Sequence, residues 1–127
     1  VIRTMVHDLN MDVSIVGKPI VRDKDGLAMS SRNRNLSKLE KNSARALSQA
    51  LESAQALVVQ GERSAENIRT AIRKTIEQKQ GTKIDYISVC DPENFTEQTE
   101  INSKVLVALA VRVGSTRLID NRIIGKI

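Results

Sequence analysis

Asp25-Gly26-Leu27-Ala28-Met29-Ser30-Ser31-Arg32-Asn33 gathers a glycine, two adjacent hydroxyls, a guanidinium and an amide into one turn-prone stretch. A strong helix start, Ser37-Lys38-Leu39-Glu40, follows at once. Backbone N–H groups, hydroxyl donors and one permanent cation form the donor set that an anion needs. The anion this set points to is a nucleotide triphosphate. On spacing alone an exposed loop is the plainer account, because serine and arginine near a helix start are common. The nearby Lys18, Arg22, Lys24 and Arg34 add weight to the phosphate reading.

Other chemistries find less support. The single histidine, His7, has no companions of ligand type at metal-binding spacing, so no metal site is expected in this chain and His7 reads as a surface or boundary residue. A Ser-His-Asp set would need the same histidine, and neither a Gly-x-Ser-x-Gly elbow nor a Gly-Lys-Ser/Thr phosphate loop occurs. Asp23 with Asp25, and Asp91 with Glu93, lie in turn-like surroundings and read as turn formers rather than acid–base pairs. The lone Cys90 falls in an apolar run and reads as a buried structural thiol, in keeping with a reducing, cytoplasmic setting.

Composition narrows the partners. The chain has 127 residues, 40% apolar content and a net charge of +5, which suits one folded domain with an anionic partner. Aromatic residues make up only 2%, too few for the stacking platforms of single-strand nucleic-acid modules, so a small phosphorylated ligand is the better fit. A non-catalytic basic nucleic-acid module remains the alternative from a different functional class. The most apolar run, 105–111, is too short to span a bilayer, and no membrane partner is expected.

The elements that must carry the loop follow from periodicity. Val1-Ile2-x-x-Met5-Val6-x-x-Leu9 has helical apolar spacing with no initiator Met ahead of it, and reads as the tail of a boundary helix over residues 1–10 of a longer protein. Val13-Ser14-Ile15-Val16 is a strand candidate, Ile20-Val21-Arg22 an extended edge, and Asp23-Lys24-Asp25-Gly26 a turn. Ser37 and Glu40 form a capping box, with Leu36 in the staple position. One helix is then expected through Ala44, Leu47, Ala50, Leu51, Ala54, Leu57 and Val58 to Gly61. A second runs from Ser64 through Ile68, Ala71, Ile72 and Ile76 to Gly81. Strands follow at 83–90 and 105–113, the latter central and buried on both faces, and Gly114-Ser115 turns the chain into a partner strand at 117–123. The expected class is α+β, a small, mostly antiparallel three-stranded sheet packed against an antiparallel helix pair.

Three blocks carry a family resemblance. The first is Ile15-Val16-Gly17-x-Pro19-x-Val21-Arg22-x-x-Asp25-Gly26-Leu27-Ala28-Met29-Ser30-Ser31-Arg32-Asn33-x-x-Leu36-Ser37, the second Asp85-Tyr86-x-x-Val89-x-Asp91, and the third Ala110-x-Arg112-Val113-Gly114-x-Thr116-Arg117-Leu118-Ile119-Asp120-Asn121. In this order they resemble the pantothenate synthetases, or pantoate–beta-alanine ligases, of the nucleotidyltransferase superfamily. The resemblance implies a C-terminal ATP-lid domain over 11–127. The family's N-terminal Rossmann-type domain, with its His-x-Gly-His signature, has no counterpart in this sequence.

It also implies ATP with Mg²⁺, pantoate and β-alanine as reactants, a homodimeric full-length enzyme, and little activity from this piece alone. Met29-Ser30-Ser31-Arg32 corresponds to the KMSKS-like loop. By the same resemblance Ser30, Ser31 and Arg32 stabilise the departing pyrophosphate, Met29 packs near the nucleotide, and Val21 offers backbone contacts on the adenine side. A fragment of another adenylate-forming enzyme of that superfamily is the nearer alternative; the block from Gly114 to Asn121 argues against it.

Overall fold

Apolar residues with a period of two over the last third of the chain, and of 3.6 over its middle, produce one sheet and the helices that cover it. The computed structural model describes residues 1–125, so the last two positions of the expected 11–127 domain lie outside the described residues. Strands β1 (Thr82–Cys90), β2 (Val105–Val113) and β3 (Thr116–Ile124) form a three-stranded sheet in the order β1-β2-β3. Both pairings are antiparallel. The fold class is therefore α+β, as the patterning predicts.

Helices α3 (Ala46–Val59) and α4 (Ala65–Glu77) cover one face of this sheet. Leu47, Leu51, Ile68, Ile72 and Ile76 meet Val89, Val107, Leu109, Val111 and Val113 in a single core. Gly61, at φ +110°, closes α3, and the bonds from Gly61 N–H to Val58 O and Glu62 N–H to Leu57 O satisfy its last carbonyls. The turn at Gly114 and Ser115 is a two-residue connection with Val113 opposite Thr116, and Gly114 takes the positive φ of +58° that its first position requires.

Several expectations are corrected. The helix expected from Ser37 to Gly61 is divided at Arg45 into α2 (Lys38–Ala44) and α3. Arg45 keeps a right-handed backbone, and the helical bonds through it, Arg45 N–H to Lys41 O at 3.3 Å and Gln49 N–H to Arg45 O at 3.2 Å, are long; its carbonyl is shared with Ser48 Oγ one turn on, and its side chain reaches out to Asp25. The capping box at Ser37 and Glu40 is present. Leu36 is not a staple, because the matching position holds Lys41; Leu36 is instead buried in the core. Val13-Ser14-Ile15-Val16 forms no strand; β-branching favours extension, but no neighbouring edge pairs with it and these residues stay exposed. β2 is central, yet only its helix-facing side is fully buried: on the other side Leu106 and Ala108 are half-covered and Arg112 is exposed.

Helix α1 (Ile2–Asp8) is present at the position expected of a boundary helix, and none of its residues is buried.

Candidate functional site

The segment ahead of the loop is not an edge of the main sheet but a small hairpin of its own. Arg22 and Ala28 form an antiparallel bridge, with Met29 N–H donating to Val21 O at 2.9 Å and Asp23 N–H to Leu27 O at 2.9 Å. Asp23 makes the turn by accepting from the N–H groups of Asp25 and Leu27, and Gly26 supplies the left-handed residue at φ +86°. Three contacts pin this hairpin to the body. Arg45 pairs with Asp25, the backbone of Gly26 lies against Ser48, and Arg22 forms a two-pronged ion pair with Asp120 on β3.

The hairpin delivers Met29 and Ser30 into a short 3-10 turn, Ser31–Asn35. Ser30 Oγ caps this turn by accepting from Arg32 N–H at 3.2 Å. Arg32 Nη1 donates to Arg117 O on β3 at 3.4 Å, and Asn33 Nδ2 donates to Ala28 O at 3.1 Å, tying the two ends of the loop together. Asn33 Oδ1 is buried and without a partner among the described residues.

Met29, Ser30, Ser31 and Arg32 line a cavity of about 500 Å³ whose far wall is residues 117–121 of β3. That volume is within the usual range for a small-ligand site. The donors exposed on its rim are the serine hydroxyls, the Arg32 guanidinium and Arg117. Arg117 donates from Nε to Asp85 at 2.6 Å, and Arg112 stands 3.5 Å from the same carboxylate. The Arg117 hydrogen bond, with Arg112 in support, holds the Asp85 carboxyl below its ordinary range. Two guanidiniums around one carboxylate leave this corner with a net positive charge, which an anion in the cavity would feel.

The predicted basic cluster divides. Arg22 is engaged with Asp120, whose hydrogen bond holds the guanidinium pKa above its ordinary value; Arg34 faces a second cavity behind the loop; Lys18 and Lys24 line neither. Val21 lies on the hairpin arm outside the cavity lining, and its carbonyl already accepts from Met29. Sequence reasoning gave no role to Arg117, Asp120 or the Asn33 clamp. The signal was their place inside the blocks that carry the family resemblance, Asn33 in the first with the loop and Arg117 and Asp120 in the third.

A family model described as pantoate-beta-alanine ligase matches residues 1–123. Pantothenate synthetases of Desulforapulum autotrophicum and Geobacter sulfurreducens are 52% and 47% identical over 98% and 99% of this chain. The chain spans 44% of the length of each of these curated relatives. The crystal structure of pantothenate synthetase from Thermus thermophilus superposes with a TM-score of 0.88 at 34% identity, covering 95% of this chain and 44% of that one. A pantoate-beta-alanine ligase from Francisella tularensis, solved in complex with "Beta-gamma ATP" and β-alanine, shares the fold at a TM-score of 0.59 and 24% identity. With a hairpin-borne Ser-Ser-Arg loop set against β3 and a match that runs through all three sequence blocks, this chain belongs to the pantoate-beta-alanine ligase family.

Proposed function

We propose that this chain is the nucleotide-lid lobe of an enzyme that joins pantoate to β-alanine at the expense of ATP, and that residues 11–127 close over a nucleotide held by a second, Rossmann-type lobe. In the first step the pantoate carboxylate attacks the α-phosphorus and pyrophosphate leaves. In the second the β-alanine amine attacks the pantoyl adenylate and AMP leaves. A carboxylate nucleophile is already ionised, so the lid needs no general base in the first step. Its task is to stabilise the charge that builds on the leaving group while holding the displacement in line.

Ser30, Ser31 and Arg32 carry that task. The hydroxyls donate in directions set by the 3-10 turn, and Arg32 adds a charge-assisted fork. Met29 packs beside the nucleotide. Val21 contributes through its backbone on the adenine side. Gly26 lets the hairpin turn sharply enough to bring the loop over the ligand. Mg²⁺ accompanies the nucleotide phosphates, and the lid supplies hydrogen bonds and positive charge. The full-length protein is proposed to be a cytoplasmic homodimer that acts on small molecules, without nucleic-acid or membrane partners.

The observation that carries this reading is the loop's position: Ser30, Ser31 and Arg32 line one cavity whose opposite wall, residues 117–121, is the family's third sequence block. The test is pantoate-dependent release of pyrophosphate from ATP by the full-length protein. Arg32→Ala is expected to slow this step by about 10²–10³, the scale for removing one preorganised donor from a transition-state anion site. An unchanged rate would remove Arg32 from the mechanism.

A further inference from the structure

Arg22 does not line the cavity, yet it is the firmest link between the loop and the sheet. Its Nη1 donates to Asp120 Oδ2 at 2.7 Å and also to Gly26 O at 3.0 Å, while Nη2 donates to Asp120 Oδ1 at 2.9 Å. The Asp120 side chain is 1% exposed and that of Arg22 22%, so the pair joins positions 98 residues apart in a largely water-free setting. Arg22 is bridged to Ala28, and its neighbour Val21 accepts from Met29 N–H, so any movement of Arg22 moves the start of the donor segment. Asp120 lies on the strand whose Arg117 carbonyl receives Arg32. Both ends of the 29–32 segment are thus referenced to β3, one through Arg22 and Asp120, the other through Arg32.

We propose that Arg22 and Asp120 are a positioning pair that sets Ser30, Ser31 and Arg32 at the height of the leaving pyrophosphate, acting through the hairpin and without touching the nucleotide. The inference rests on the ligase reading above and deepens it. A two-pronged guanidinium–carboxylate contact fixes direction and plane as well as distance. Lysine at position 22 keeps the charge, but a single ammonium cannot hold both carboxylate oxygens and the Gly26 carbonyl in the same fork. A buried ion pair is weak evidence for stability as such; here its geometry fixes where the loop begins.

The test uses the full-length protein with Arg22→Lys, Asp120→Asn, Arg32→Ala and the double variant Arg22→Lys/Arg32→Ala. Single-turnover pyrophosphate release is measured at saturating ATP and pantoate, alongside the KM for pantoate and the thermal midpoint. Arg22→Lys is expected to slow the step by about 10–100-fold, the scale for a misplacement of about 1 Å at a reacting centre. The KM for pantoate stays unchanged, because the loop faces the nucleotide. In the double variant Arg22→Lys is expected to slow the Arg32→Ala protein by clearly less than it slows the wild type, since the guanidinium is gone and only Ser30 and Ser31 remain to be misplaced.

Arg22→Lys that folds with a wild-type midpoint and a wild-type rate overturns the inference, as do losses that multiply in the double variant. Should Arg22→Lys fail to fold, Asp120→Asn carries the same expectation: it keeps the side chain's shape and the acceptor for Asn121 N–H, now at 2.7 Å, but loses the charge. A wild type with no pantoate-dependent release overturns the ligase reading and this inference together, whereas the other adverse outcomes overturn the inference alone.

Discussion

Asp85 organises one corner of the site by itself. The register between β1 and β2 slips between Ile84 and Tyr86, so Asp85 sits in a bulge, and its carboxylate takes Arg117 on one oxygen and Arg112 on the other. Its pKa is lowered by these donors, so the pairing adds stability above the unfolded value of about 3.9 and loses it as pH falls through the lower folded value. Asp85→Asn should therefore melt below wild type at pH 7, with the difference shrinking as pH drops below about 4. Thermal melts of both proteins at neutral and acid pH check the sign. Asn33 invites a second experiment at this scale. Its amide donor clamps Ala28 O, and Asn33→Asp replaces that donor with a negative charge on the cavity proposed to hold the nucleotide phosphates of the full-length protein. Apparent ATP affinity is expected to fall by at least about tenfold, or ~1.4 kcal/mol, readable by titration.

Elements inherit their boundaries from two sources, and the difference explains what was legible beforehand. The capping box at Ser37, the Gly61 stop, the three strands and the Gly114 turn are local, and each was readable from a few adjacent residues. The interruption at Arg45 and the hairpin at 21–29 were not, because they involve contacts with Asp25 and Asp120, 20 and 98 residues away along the chain, which no window of periodicity brings together. For the same reason the loop residues Ser30, Ser31 and Arg32 were found by type, while Arg22 was misread as part of a loose basic cluster. Strand assignment at 13–16 failed for a related cause: propensity cannot supply a missing partner.

The hairpin tip tests how tightly elements are fitted. A Cβ on Gly114 would stand 1.9 Å from Glu40 Oε1, and the residue also has φ +58°. The same Glu40 closes the capping box by accepting from Ser37 N–H at 2.7 Å. Gly114→Ala must strain the turn and displace the capping carboxylate, and is expected to destabilise the domain by about 1–3 kcal/mol. Chemical denaturation checks this. In a Glu40→Ala background the steric part of the cost should disappear and only the backbone part remain.

At the scale of the whole molecule the sheet is one-sided. Helices seal one face, while the other presents Tyr86, Ile119 and Ile123 to the outside, the two isoleucines each 58% exposed. The charged corner formed by Arg112, Arg117 and Asp85 lies on that same outer side. Helix α1 stands apart from the core, with no buried residue and only seven positions, too few to hold a helix without support. Removing residues 1–10 is expected to leave the thermal midpoint unchanged; a fall of about 4 °C or more, which corresponds to ~1 kcal/mol in a domain of this size, would mean that α1 is integral to the core.

The 98-residue span between Arg22 and Asp120 also sets a timetable. Closing so long a stretch of chain is slow compared with making local turns and helices. On the ribosome the serine–arginine segment is synthesised early, but its anchor arrives only with the last strand. Until then the hairpin has no fixed place to dock. The place of residues 29–32 is thereby left unset in half-made chains and is fixed when the sheet is complete.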